Sequence, residues 1–189
     1  MVTTRSAKLS LTDYLTSNTE YDSLQEFEDG ETIVMPPESP QNLLITMFLI
    51  SQFLQVVPFN WVRHNTEIVV SNRVRIPDLI ILGSELAETL HQSHRSTITE
   101  AMPTPLLVIE VVSPGKVNRD RDYRYKRSEY GTRGIPEYWI VDPEQQQILI
   151  LTLIDGWYEI ETFTDDSPIQ SPQFPTLTLT TTQILNPTP

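Results

Sequence analysis

Residues 106–112 read LLVIEVV, and this run limits the fold more tightly than any other part of the chain. A strand with so continuous an apolar, β-branched character must be covered on both faces, which requires a sheet with further layers on either side. Glu110 stands inside the run. A carboxylate there is costly to bury unless it is paired or binds a metal. Asp78, in RIPDLIIL at residues 75–82, is under the same constraint. Two acids on strand-like runs suggest a metal site.

The surrounding punctuation sets out the other elements. Residues 11–15 open a small helix, and Gly30 turns the chain before a strand-like 32–35. Pro36, Pro37 and Pro40 lead into an apolar helix over 43–57, which Pro58 ends. Apolar residues cover nearly every side of that helix, predicting burial in the core or at a contact between subunits. Residues 61–70 and 73–82 read as two strands joined at Ser71 and Asn72, a hairpin by spacing. Residues 85–101 are polar and irregular and read as a loop with at most a helical turn. After residues 113–115 break the central strand, Asn118 is placed to cap a helix running to Tyr130, with Gly131 and Gly134 closing it. Strands follow over 137–141, 147–153 and 157–163, the last two joined by Asp155 and Gly156, a strong hairpin signal. The Pro- and Thr-rich tail offers at most one edge strand near 176–179. This order predicts an α/β fold, a mixed β-sheet flanked by helices, in a single domain over residues 1–189.

Net charge is −12, which at first argues against a nucleic-acid partner. The distribution reverses that. Residues 39–133 carry 11 of the 13 Lys and Arg against 9 of the 25 Asp and Glu, so the segment holding both strand acids is the basic one. Within it lie Lys116, Arg119, Arg121, Arg124, Lys126, Arg127 and Arg133; a solvated, ion-paired helix would also account for them. The absence of Cys excludes disulfides, thiolate metal sites and Cys nucleophiles. The first ten residues contain Arg5 and Lys8 but no apolar core of a secretory signal, and 43–57 is too short and too polar to span a bilayer. The expectation is a cytoplasmic protein with no membrane partner.

Side chains alternate along a strand, so Glu110 shares a face with Val108 and Val112 while Ile109 and Val111 point the other way. A hydrolytic magnesium site uses one or two carboxylates, waters and a substrate phosphate, and Asp78 with Glu110 could supply the carboxylates if their strands are neighbours. A cation is also needed to orient water and offset phosphate charge. Its simplest place, two residues after Glu110, holds Val112. The following helix offers Lys126, four residues after Asp122 and so within reach of it. Other groups have plainer readings. His91 and His94 lie in a polar stretch that suits a surface better than a metal. Tyr123, Tyr125, Tyr130, Tyr138 and Trp139 could stack on bases or fill the core.

Together, Pro77-Asp78, LVIEVVSP at 107–114, DYRYKRSEY at 122–130 and GIPEYWIVDP at 134–143 resemble the Uma-type restriction endonuclease family abundant in cyanobacteria, a branch of the PD-(D/E)XK nuclease superfamily. The resemblance spans about residues 25–180. It implies a restriction-endonuclease-like fold and phosphodiester hydrolysis with Mg2+, or Mn2+ in its place. It also implies that Asp78 and Glu110 bind metal, with the carbonyl of Val111 as a further ligand. Lys126 would be the catalytic lysine, moved from the strand to the helix. The family segment entering the long helix usually runs on to a His, where Gln41 and Asn42 stand here.

The sequence reading is therefore a metal-dependent endonuclease acting on DNA, with Arg119, Arg124 and Arg127 on the nucleic-acid backbone and a homodimer as the assembly. A binding or assembly protein that keeps the fold without activity, and a nuclease directed at RNA or at repair, remain open beside it.

Overall fold

The computed structural model describes residues 8–17 and 23–188; the polar lead containing Arg5 lies outside them. In chain order the elements are α1 (Leu11–Thr16), β1 (Gln25–Glu28), β2 (Glu31–Val34), α2 (Pro40–Phe53), β3 (Val62–Arg63), β4 (Glu67–Val70), β5 (Arg73–Arg75), β6 (Leu79–Ile81), α3 (Ser84–His91), β7 (Thr97–Ile98) and β8 (Leu107–Val111). A helical stretch in three parts follows: α4 (Lys116–Asp120), a π-helical turn (Arg121–Lys126) and α5 (Arg127–Arg133). After it come β9 (Glu137–Asp142), β10 (Gln147–Ile154), β11 (Trp157–Thr164) and α6 (Thr181–Leu185).

The expected α/β architecture is present, with the strands divided between two mixed sheets rather than gathered in one. The larger has the order β11-β10-β9-β8-β6-β3, and the smaller β2-β1-β5-β4-β7. β8 lies at the centre of the larger sheet, parallel to β9 and antiparallel to β6. Its alternation separates two cores. Leu107, Ile109 and Val111 pack with Ile45, Leu49 and Phe53 of α2 and with the C-terminal segment. Val108 and Val112 pack on the opposite side with Tyr130, Tyr138 and the buried stripe Leu86, Ala87 and Leu90 of α3. A third, small cluster joins Tyr14 of α1 to Phe27, Val69 and Val74 under the smaller sheet.

Several local expectations change. Neither 61–70 nor 73–82 is one strand; each is divided between the two sheets. Asn65 interrupts the first with a left-handed backbone (φ 53°). Pro77, which has no N–H to offer a ladder, lies in the gap between β5 and β6. The polar stretch after Gly83 contains α3 and β7, because three well-placed apolar residues anchor a helix whose other sides are solvated. Asn118 lies inside α4 and donates to the carbonyl of Pro114 (2.8 Å) instead of capping the helix, which starts from Gly115. No strand forms over 176–179. The tail is held by an isolated bridge between Pro168 and Thr180, and by buried Glu137, which accepts hydrogen bonds from the Ser171 hydroxyl and the Gln173 amide.

The apolar helix is α2, which ends at Phe53. Pro40 occupies its first turn and Ser39 caps it by accepting from the Asn42 amide (3.1 Å). One stripe, Ile45, Thr46, Leu49 and Phe53, is buried against the sheet, whereas Leu43, Leu44 and Met47 remain exposed. Among the described residues no helix is long and apolar enough to cross a membrane.

Candidate active site

The site forms where the two sheets meet under the π-helical turn. β6 and β8 are hydrogen-bonded neighbours, so Asp78, immediately before β6, arrives beside Glu110 and Val111 at the end of β8. The Val111 amide donates to Asp78 Oδ2 at 2.6 Å. His64 is exposed and fixes the same residue from the main chain, its Nδ1 donating to the Asp78 carbonyl at 2.8 Å. From the helical side, the π turn carries Asp122 and Lys126 inward. One-turn π segments are uncommon and cluster at functional sites.

Lys126 is 1 % exposed and is surrounded by carboxylates. Its Nζ lies 2.8 Å from Glu110 Oε1, 3.6 Å from Glu26 Oε1 and 3.6 Å from Asp122 Oδ1. Tyr130 donates to the same Glu110 oxygen at 2.6 Å. Burial by itself would weaken the lysine's hold on its proton, but Glu110, Glu26 and Asp122 overcome it and keep the ammonium charged far above neutrality. Burial raises Glu110 to about 7, with Asp122 adding to the effect and Lys126 opposing it. Asp78 is raised as well, by burial first and then by the charge of Glu110. Two carboxyls that each resist ionisation beside one another form a site where added positive charge is favoured.

The cleft these groups line has a volume of about 290 Å³ and is also lined by Pro36, Pro37 and Glu38. Asp78, Glu110, Val111 and Lys126 all reach it, as does Arg121, which the sequence reading left unassigned. Burial works against the Arg121 charge, but Asp122, Glu110 and Glu26 hold it protonated more firmly than usual. The start of α2 also meets this site. The Asn42 side-chain amide donates toward the carbonyl of Val111 (3.2 Å) and that of Val112 (3.4 Å), so Asn42 touches the carbonyl singled out by the resemblance. Among the described residues no group of three or more His, Asp or Glu side chains is arranged to hold a metal, His91 and His94 included. A cation at the two acids would therefore complete its shell with carbonyl and solvent oxygens, the donor set that hard divalent ions accept.

Glu26 is the principal residue that the sequence reading missed. It is fully buried in β1, and Lys126, Arg75, Arg121 and the Ile76 amide together outweigh the cost of burial and lower its pKa. A signal was present in the pattern Glu26, Phe27, Glu28 against Arg73, Val74, Arg75. Phe27 pairs with Val74 across the antiparallel strands, which sets Glu28 against Arg73 (3.4 Å) and Glu26 against Arg75 (3.0 Å). Arg75 is itself fully buried, and its remaining donors go to Glu28 (2.9 Å) and to both oxygens of Glu129 (2.8 Å each). The basic residues assigned to nucleic acid are dispersed. Arg119 is paired with Glu144 (2.8 Å) and lies 3.5 Å from Asp142. Arg124 and Arg127 line a different cleft, on the other side of the helix.

The sequence from 11 to 182 matches the model of the Uma2 family, described as "Putative restriction endonuclease". The chain belongs to the Uma2 family. No curated protein matches it. Among solved structures, this Uma2 chain is similar to a "putative nuclease belonging to DUF820" from Anabaena variabilis. That similarity has a TM-score of 0.71 over 94 % of this chain and 97 % of the other, at 18 % identity, a likeness of fold. The buried acid, acid and lysine of this Uma2 chain thus stand in a fold shared with that protein.

Proposed function

We propose that the protein is a metal-dependent endonuclease that hydrolyses phosphodiester bonds of DNA in the cytoplasm. In this reading Asp78, Glu110 and the Val111 carbonyl hold Mg2+, or Mn2+ in its place. The observation that carries it is the convergence on one cleft of Asp78, Glu110 and the fully buried Lys126, whose Nζ lies 2.8 Å from Glu110. A divalent ion bound there would supply an acidified water and charge compensation for the phosphate. Lys126, a buried ammonium among three carboxylates, is placed as a donor. Its role is to donate to the scissile phosphate or the attacking water and to stabilise negative charge that develops there. Tyr130 and Lys126 both anchor one oxygen of Glu110, fixing the orientation of that carboxylate. The Val111 amide does the same for Asp78. Arg121 adds a cation to the cleft wall, while Arg119, Arg124 and Arg127 contribute backbone affinity without sequence preference. The working assembly is a homodimer joined through the exposed side of α2.

Incubation of purified protein with plasmid DNA tests this reading. Nicking or cutting is expected with magnesium or manganese, is abolished by chelator, and is lost in both Asp78→Ala and Glu110→Ala. Cutting that persists in chelator, or in both variants, rules the metal assignment out.

A further inference from the structure

Arg121 opens the π-helical turn and Lys126 closes it. In a regular α-helix five residues turn through about 500°, which leaves such a pair about 140° apart, on different sides of the helix. Hydrogen bonds between residues five apart, the mark of a π turn, bring its two ends back to the same side. Arg121 and Lys126 accordingly line one cleft with Asp78 and Glu110, while Arg124 and Tyr125, between them in sequence, are exposed. The two cations differ in their free donors. Lys126 is sealed among three carboxylates. The Arg121 side chain is 26 % exposed, and its one hydrogen bond among the described residues is long, from Nε to Asp122 Oδ1 at 3.4 Å. The same Asp122 oxygen lies 3.6 Å from Lys126 Nζ, so one acid steadies both cations. The two terminal amino groups of Arg121 make no hydrogen bond among the described residues and are not sealed from water, on a residue that lines the cleft. A guanidinium anchored through Nε keeps those groups as a fork that matches two oxygens of a phosphate.

We propose that Arg121 is a further catalytic residue, its two terminal amino groups holding the non-bridging oxygens of the phosphate under attack, and that the π turn sets this fork beside Lys126. The proposal rests on the reading that the cleft hydrolyses phosphodiesters, and it divides the work of the two cations. During in-line attack the water oxygen bonds to phosphorus and loses its proton to solvent, while the sugar oxygen departs with the bonding pair and takes up a proton. The non-bridging oxygens stay on phosphorus throughout, so a fork on them keeps the phosphate aligned and offsets the charge that gathers there. A countercharge for Asp122, Glu110 and Glu26, the acids that act on Arg121, would be served equally by a lysine. The fork requires a guanidinium, since an ammonium is a point charge without two parallel donors.

Single-turnover cleavage of plasmid DNA in magnesium separates these roles. Arg121→Ala should lower the rate roughly 10²- to 10³-fold. Arg121→Lys keeps a charge beside the acids, and so the fold, yet should remain at least roughly 10-fold slow. The magnesium concentration for half-maximal rate should stay the same or fall in Arg121→Ala, because a cation that repels the metal has gone. Binding is read apart from cleavage by fluorescence anisotropy of a labelled oligothymidylate, with calcium, which takes the same oxygen ligands, in place of magnesium. There Arg121→Ala should weaken affinity roughly 10-fold and reduce the slope of log affinity against log salt by about 0.7. Cutting by Arg121→Lys at the parental rate makes Arg121 a countercharge only and overturns the proposal, leaving metal-dependent cutting intact. A magnesium requirement that rises in Arg121→Ala, with the rate restored at saturation, makes Arg121 a support of the metal ligands and overturns it as well. A parent that cuts nothing yet binds the oligomer through Arg121 sustains the phosphate fork and overturns the nuclease reading; a parent that does neither overturns both.

Discussion

An ammonium set among three carboxylates and nearly sealed from water cannot be exchanged for a neutral group without consequence. In isolation Lys126 could be the surface partner of Asp122 that i, i+4 spacing suggests. The structure retains that pair at 3.6 Å but adds the shorter contact to Glu110 and a third to Glu26. Lys126→Met should therefore act twice. Turnover is expected to fall roughly 10²- to 10³-fold, the usual loss for one charge-stabilising donor. Metal-free stability should also fall, by about 3–5 kcal/mol, because the remaining carboxylates lose their counter-charge. Added magnesium should raise the melting temperature of Lys126→Met more than that of the parent, since a cation at Asp78 and Glu110 restores positive charge to the cluster. Single-turnover cleavage and a thermal melt with and without metal measure both effects. A variant as active and as stable as the parent would reduce Lys126 to a partner of Asp122.

At the scale of elements, the smaller sheet is attached to the helix of the active site by ions rather than by apolar packing alone. Arg73 and Arg75 extend from β5, and Glu129 extends from α5 to meet both, at 2.7 Å and 2.8 Å. Burial would raise the Glu129 pKa, but the hydrogen bonds and charges of Arg75 and Arg73 prevail and lower it below the ordinary value of 4.5. A lowered folded-state pKa means that the unfolded chain binds the proton more tightly. The stabilisation is therefore complete above about 4.5 and is lost as pH falls through the lower, folded value. Glu129→Gln should cost roughly 3 kcal/mol at neutral pH and should flatten the acid limb of the stability profile relative to the parent. Denaturant unfolding from pH 7 down to pH 3 checks this. An acid limb of unchanged steepness would assign the acid sensitivity to other carboxylates, such as Glu67, which Arg95 and Thr97 lower in the same way against the effect of burial.

For the molecule as a whole, the larger sheet divides the interior in two, and α2 covers one face with only part of its surface. Residues 40–62 contain no charged side chain. Leu43, Leu44, Met47 and Leu54 remain exposed along α2 and its end, with Phe59 beyond them. The same strip on a second copy would pair with it about a two-fold axis, without juxtaposing like charges from two chains that are each strongly acidic. Sedimentation equilibrium at micromolar concentration should give twice the chain mass, and Leu44→Glu with Met47→Glu should return it to the monomer. A parent that sediments as a monomer at that concentration contradicts the dimer.

Part of the molecule was determined by sequence alone. The run at 106–112 required a strand covered on both faces, and its period of two placed Glu110 opposite Ile109 and Val111; both follow from local stereochemistry and the cost of exposing apolar side chains. The turn at Asp155 and Gly156 was legible for the same local reason, a backbone that few residue pairs adopt. The charge pattern of 26–28 against 73–75 marked a pairing for Glu26, but its burial beside Lys126 and the division of 61–70 and 73–82 between two sheets were not legible, because they depend on which strands become neighbours across tens of residues. Asn65 and Pro77 stand at the breaks, and tertiary pairing sets the destination of each half. Whether Lys126 lay on a wet helix face or inside a carboxylate cluster was likewise decided by tertiary packing. The π-helical turn, the approach of β1 through β5 and the burial of Arg75 set its surroundings, and charge becomes decisive only once water is excluded.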